Sequence, residues 1–261
     1  MTLAARWMGI VLAGLAVAAE ASPVAARPLD DVRSRGALTL CAHPNALPFA
    51  SRKGQPPGFQ VELAEALARQ LGVGLVVEWV TTAFHRRAVD CDIVLDAIAI
   101  DEVQAERGLR LSRPYGRSGV ALALRPDVPS VTRFAELTSG HRVAVQFGSL
   151  AAKLLDQLGV PIVPFAFEDE MLQALVAGRV TAAAVSPASV GYFNLGHPGR
   201  PLRLVHAYEG EPELSWNLAV GMRRSDAALR AAVDRAIDLL LADGSVRRIY
   251  ARYGIEHRPP R

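Results

Sequence analysis

Ala37-Leu-Thr-Leu-Cys41 opens the stretch ALTLCAHPNALPFASRKGQPPGFQVELAEALARQLGVGLVVEWV, residues 37–80, and this stretch decides the fold. The first five residues are a short apolar strand, and Pro44, Pro48 and the run from Gly54 to Gly58 mark a long irregular loop after it. Phe59, Leu63, Leu67 and Leu71 then recur every fourth residue with Glu62, Glu65 and Arg69 between them, and Gly72 stops the run. That spacing predicts a helix with one apolar face, packed on a sheet. Gly74 to Val80 reads as the next strand. Strand, helix and strand in this order build an open α/β sheet, in which ligands collect beyond the carboxyl ends of the strands.

Working outward, residues 91–100 and Val120 to Leu124 are further apolar runs, the second ending at Arg125-Pro126-Asp127. The pattern then restarts. His141 to Gln146 predicts a strand, Ser149 to Leu158 a helix, Val160 to Phe165 a strand, Glu168 to Ala177 a helix and Val180 to Val185 a strand. Glu168, Asp169 and Glu170 fall in the first turn of their helix, where acidic groups oppose the helix dipole favourably. Asn217 to Met222 is the next strand, and Ser225 is placed to cap a long helix with Leu229, Val233, Ile237 and Leu240 on one face. Gly244 closes it, and a short last helix runs from Ser245 to Tyr253. The resulting organisation is two α/β lobes, the first from residues 28–120 and 221–261 and the second, inserted, from residues 126–215. Strands near 119–125 and 216–222 link the lobes, and two crossings make a hinge.

Arg6 precedes the almost uncharged apolar run from Trp7 to Ala19, with Ala19-Glu20-Ala21 as a small-residue cleavage site and Val24-Ala25-Ala26 as a second one. Residues 1–21 therefore read as a secretory signal peptide, and the localisation expected is the periplasm. The competing reading, an uncleaved anchor, needs roughly 20 apolar residues and meets only about 13. The chain holds 29 Lys and Arg against 26 Asp and Glu, a net charge of +3 that implies no nucleic-acid partner. The mature protein is expected to be a monomer. Cys41 and Cys91 are its two cysteines, and in an oxidising compartment an even count favours pairing over two separately buried thiols. Their distance apart in sequence, with no His cluster near, is a poor metal signature, and no phosphate loop or nucleophile motif stands anywhere in the chain. No cofactor is expected.

The order of elements and five local motifs resemble the periplasmic solute-binding proteins that serve polar amino acids, family 3 of the type II periplasmic binding proteins. The motifs are Leu40-Cys-Ala-His-Pro-Asn-Ala-Leu-Pro-Phe49, the helix opening at Gly58-Phe-Gln-Val-Glu, Ser112-Arg-Pro-Tyr115, Val145-Gln-Phe-Gly-Ser149 and Ala177-Gly-Arg-Val-Thr-Ala182. The resemblance implies the two-lobed type II fold, each lobe an open mixed sheet flanked by helices with a two-strand hinge. A narrower likeness, carried by Cys41 to Phe49, Cys91-Asp-Ile-Val94, Arg113 to Ser118 and Asn217 to Asp226, is to binding-protein-like accessories of quinoprotein alcohol dehydrogenases, among them the J protein of methanol oxidation systems. It implies a dehydrogenase as partner, and the broader likeness implies an ABC permease.

Amino-acid binders of the family clamp the ligand carboxylate with an Arg and receive its ammonium on an Asp. Here the corresponding positions hold Ala105, with Arg107 or Arg110 as replacements, and Ser186. Common amino acids are therefore expected to bind poorly, because a zwitterion without counter-charges loses the contacts that offset desolvation. The remaining candidates for ligand contact are His43, Asn45 and Phe49 after the first strand, Asp96 as the lone charge of an apolar strand, Arg113 and Tyr115, and Gln146, Gly148 and Ser149 at a helix start. Gly148-Ser149 reads equally as a plain helix cap. Phe147 and Trp216 read as packing residues. An enzyme on this fold would need a positioned acid and a carboxylate-binding Arg, and Asp96 with Arg113 is the pair that could serve.

Overall fold

In the computed structural model, which describes residues 28–81, 91–106, 108–129, 131–223 and 225–261, the chain makes two mixed sheets. The first is built from β1 (Ala37–Ala42), β4 (Gly74–Trp79), β5 (Ile93–Ile98), β6 (Leu109–Leu111), β7 (Gly116–Gly119) and β13 (Ser215–Arg223). Its order is β4-β1-β5-β13-β6, with β7 also paired to β13. The three strands β4, β1 and β5 are parallel, and β13 runs antiparallel to β5, β6 and β7. Between β1 and β4 lie the two-residue strands β2 (Asn45–Ala46) and β3 (Ala50–Ser51) and the helix α2 (Phe59–Leu71). The fourfold spacing of α2 buries Phe59, Leu63, Leu67 and Leu71 together against the sheet. Gly72, at φ 76°, ends the helix in the left-handed conformation that glycine takes without strain. Also on this lobe are α1 (Leu29–Arg35), α3 (Asp101–Glu106), α7 (Ala227–Ala242) and α8 (Ser245–Arg252).

The second sheet has the order β10-β9-β11-β8-β12, from β8 (Ala121–Leu124), β9 (Val143–Gln146), β10 (Ile162–Phe165), β11 (Ala182–Val185) and β12 (Arg203–Val205). Strands β8, β9 and β11 are apolar because both their faces are covered. One face packs on α4 (Leu150–Gln157), and the other on α5 (Glu168–Val176) and α6 (Pro187–Gly196). Among the described residues no helix is long and apolar enough to cross a membrane. The expected signal peptide falls outside the described residues.

Each strand expected to span the hinge belongs to one sheet only: β8 lies wholly in the second and β13 wholly in the first. The crossings shrink to Val120 and the Leu214–Ser215 step, and the Val120 N–H donates to the Leu214 carbonyl at 3.0 Å, so the two crossings hold each other. A Cβ at Gly119 would sit 2.2 Å from that carbonyl and 2.5 Å from the Tyr208 ring, which is why glycine stands there. The long helix is capped by Asp226, whose carboxylate accepts the Leu229 N–H at 2.7 Å, and Ser225 is buried one residue earlier. Trp216 packs against the first core as expected, whereas Phe147 is 82 % exposed.

Helix α6 was not expected from the pattern. Its segment, PASVGYFNLG, has no helical periodicity, and its one signal is Ser186 as N-cap with Pro187 at the first helical position. Though it belongs to the second lobe, α6 reaches the first: Ala188 and Tyr192 pack into the first core, and a Cβ on Gly191 would lie 2.3 Å from the Gly254 carbonyl. The carboxyl-terminal tail also joins the lobes. His257 Nε2 lies 2.8 Å from the Tyr115 carbonyl, the Arg117 N–H donates to the Arg258 carbonyl at 3.0 Å, and the Arg258 guanidinium reaches Tyr208 and Glu209 of the second lobe.

Candidate functional site: the cleft between the lobes

The cysteine motif is structural. Cys41 and Cys91 are bonded, with their Cα atoms 5.6 Å apart, as the Leu40 to Ile93 register of β1 and β5 requires. Beside the bridge the fully buried carboxylate of Asp92 accepts the Thr39 N–H at 2.8 Å and the Arg35 guanidinium at 2.9 Å. Disulfide and ion pair together staple the strand that ends at the cleft to its neighbour.

Asp96 stands in a bulge of β5, where Leu95 and Asp96 face the single residue Val220 of β13. Its φ of 54° is the one left-handed conformation found for a non-glycine among the described residues. The Ser112-Arg-Pro-Tyr115 element maintains the bulge. Ser112 Oγ accepts the Val220 N–H at 2.9 Å, and the Tyr115 hydroxyl accepts the Asp96 N–H at 2.8 Å while donating to the Asp96 carboxylate at 2.6 Å. Gln60 Nε2 donates to the other carboxylate oxygen at 2.6 Å. Burial pushes the Asp96 carboxyl above the usual carboxylate range, and the bonds from Gln60 and Tyr115 oppose that rise. Burial, with the Asp96 charge adding to it, raises Tyr115 well above the ordinary tyrosine value. Tyr250, nine-tenths buried nearby, is raised for the same two reasons and its hydroxyl has no partner among the described residues.

A cavity of about 860 Å³ opens between the lobes. The first lobe gives it Asn45, Leu47, Phe49 and Arg252; the second gives Gln146, Phe167, Glu168, Asp169, Ser189, Tyr192, Phe193 and His197. The Arg252 guanidinium is paired with Glu62. Phe193 and His197 stack at 4.0 Å. Glu168 is turned back onto the start of α6: it accepts the Ser186 N–H at 2.8 Å, the Ser186 hydroxyl at 2.6 Å and the Ser189 hydroxyl at 2.5 Å. The carboxylate of Glu168 thus lies against position 186, where the sequence has a serine.

Of the residues nominated from sequence, Asn45, Phe49 and Gln146 line this cavity, and Ser186 lies directly behind Glu168. Asp96 and Tyr115 form the bulge cluster of the first lobe. His43 Nδ1 accepts the Asn45 N–H at 3.2 Å and shapes its own loop. Ser149 caps α4 by accepting the Ala152 N–H at 3.2 Å, and Gly148, at φ 68°, supplies the turn before it. Arg113 is elsewhere: its guanidinium donates to Asp238 at 2.6 Å and its N–H to Asp234 at 2.7 Å, both on the outer helix α7. Asp96 and Arg113 are therefore not assembled as an acid and clamp. Ala105 and Arg110 are exposed, and Arg107 lies outside the described residues. Glu168, Tyr192 and Phe193 are among the cavity residues that sequence reasoning missed; the first was read as a dipole contact and the others belong to the unexpected helix.

Two mixed sheets joined by a double crossing, with a cavity walled by both, agree with what comparison with known proteins gives. The model of the bacterial extracellular solute-binding proteins, family 3, matches residues 38–256. The chain belongs to that family. Among its relatives is the probable amino-acid-binding protein YxeM of Bacillus subtilis strain 168, 25 % identical over 228 residues that cover 83 % of each chain. Among solved structures, the ancestral cationic amino acid solute-binding protein AncCDT-1 superposes with a TM-score of 0.73 at 24 % identity, over 87 % of this chain and 99 % of that one. The periplasmic binding protein XoxJ of Methylobacterium extorquens AM1 superposes at 0.67 with 19 % identity, over 84 % and 98 %. At these identities the two structures establish the shared fold.

Proposed function

We propose that this family 3 protein is a non-enzymatic periplasmic receptor that closes its lobes on one small polar solute and presents it to an ABC permease. The observation that carries the reading is the 860 Å³ cavity walled by both lobes, a size suited to a metabolite and a placement that makes occupancy depend on lobe closure. YxeM and AncCDT-1, whose names are those of binding proteins, support it. The test is calorimetric titration of the purified protein with a panel of amines, amino acids, sugars and organic acids. Binding of one class at one site per chain, lost when Ala46→Trp fills the cavity, is the expected result; a full panel without binding would contradict it.

A second reading has its own support. The two motifs that resemble the quinoprotein dehydrogenase accessories, Cys41 to Phe49 and Cys91 to Val94, are covalently joined to each other. On that reading the partner is a periplasmic quinoprotein alcohol dehydrogenase of the methanol oxidation type. Native pull-downs from periplasm separate the two: permease components uphold the first reading and a dehydrogenase the second.

A further inference from the structure

The charges on the cavity wall are unequal. Glu168 and Asp169 face Arg252 and His197, and Arg252 is already committed to Glu62. Glu168 is held by three donors, the Ser186 N–H and the hydroxyls of Ser186 and Ser189, and none of them carries charge. No Arg, Lys or His pairs with it among the described residues. A carboxylate accepts about four hydrogen bonds, so the pair of oxygens keeps room for one more donor. Three neutral donors fix its position and orientation without cancelling its charge. The same cavity is lined by Phe49, Phe167, Tyr192 and Phe193, aromatic side chains of the kind whose ring faces attract cations. A solute carboxylate finds no matching partner: the described cavity wall has no uncommitted guanidinium or ammonium, and the family's clamp position is Ala105, exposed on α3.

We infer that the cleft is selective for organic cations that carry a primary or secondary ammonium and no carboxylate, with Glu168 as the anchoring anion. This deepens the receptor reading and rests on it. A protonated amine would donate to the remaining acceptor of Glu168, and its methylene chain would lie against the aromatic wall; an α-amino acid would have to desolvate its carboxylate for no return.

The test is titration calorimetry with putrescine and with ornithine, which is putrescine bearing a carboxylate. Putrescine is expected to bind at least about tenfold more tightly than ornithine, and Glu168→Gln to weaken putrescine about tenfold or more. Tyr192→Leu leaves the Glu168 network intact and is expected to weaken it about twofold to fivefold, so the inference does not depend on one variant remaining folded. Ornithine binding as well as putrescine, or putrescine affinity unchanged in both variants, overturns it. Binding of a neutral sugar or an organic acid at the same cavity overturns it too, while leaving the receptor reading in place. If Arg107→Ala abolishes binding of an amino acid, the missing clamp is found and the inference falls.

Discussion

A single left-handed aspartate explains why Ser112 and Tyr115 must be the residue types they are. Asp96 in the bulge of β5 exposes one N–H and one carboxylate to the interior, and Tyr115 meets both with one hydroxyl while Ser112 meets the Val220 N–H left over on β13. Leaving buried polar groups without partners costs about 1–3 kcal/mol each, so Tyr115→Phe is expected to lower stability by about that amount in urea denaturation, with the rest of the fold intact. The same aspartate makes stability depend on pH. Its folded carboxyl holds its proton more tightly than in the unfolded chain, because burial disfavours the charge. Its contribution is then present below the ordinary carboxylate range, about 4, and declines as pH rises through the higher folded value. Asp96→Asn removes that decline. As pH rises from about 4 the wild type should lose stability relative to the variant, and a difference that stays constant would contradict the assignment.

At the scale of elements, strands and helices whose burial repeats regularly were legible in the sequence, and those set by tertiary contact were not. The four-residue spacing of α2 located that helix to the residue because its burial is periodic. The segment of α6 gave no such signal: it packs on its own sheet, on the first lobe and on the cavity at once, so its apolar residues surround the axis. The candidate site suffered for that, since Tyr192 and Phe193 stand on this helix and Glu168 is placed by it. Asn45, Phe49 and Gln146 were found because they follow strand ends, where the topology of an α/β sheet collects ligands. Arg113 was misplaced because a local motif cannot say which side of the sheet a guanidinium will take; the carboxylates of Asp234 and Asp238 on α7 decide it. Two predictions belong here. Replacing both Cys41 and Cys91 by Ser opens a covalent loop of 50 residues and is expected to cost about 2–4 kcal/mol in denaturant titration. Gly191→Ala forces α6 away from the Gly254 carbonyl and is expected to cost about 1–3 kcal/mol, measured the same way.

The whole molecule is two lobes held at more than the hinge. Val120 and Leu214 form the crossing, and the tail from Ile255 to Arg261 ties β7 and β13 of the first lobe to Tyr208 and Glu209 of the second. Aromatic contacts connect this strap to the cavity: Phe49 on Phe59 at 5.2 Å, Phe59 on Tyr250 at 4.8 Å and Tyr250 on His257 at 5.3 Å. Removing residues 257–261 takes away the bonds of His257, Arg258 and Arg261 together and is expected to lower the thermal midpoint, with ligand affinity changing as well because the lobes lose a tether. Scanning calorimetry and the amine titration measure the two effects on one sample.

The function proposed for this protein requires that the space between the lobes hold a small solute. Native mass spectrometry of the protein isolated from its own compartment without dialysis tests it most directly, run beside the cavity-filled Ala46→Trp variant. One small molecule per chain is expected on the wild type, released on collisional heating and absent from the variant. A wild-type mass equal to that of the bare chain, or a solute retained equally by both proteins, would contradict the account.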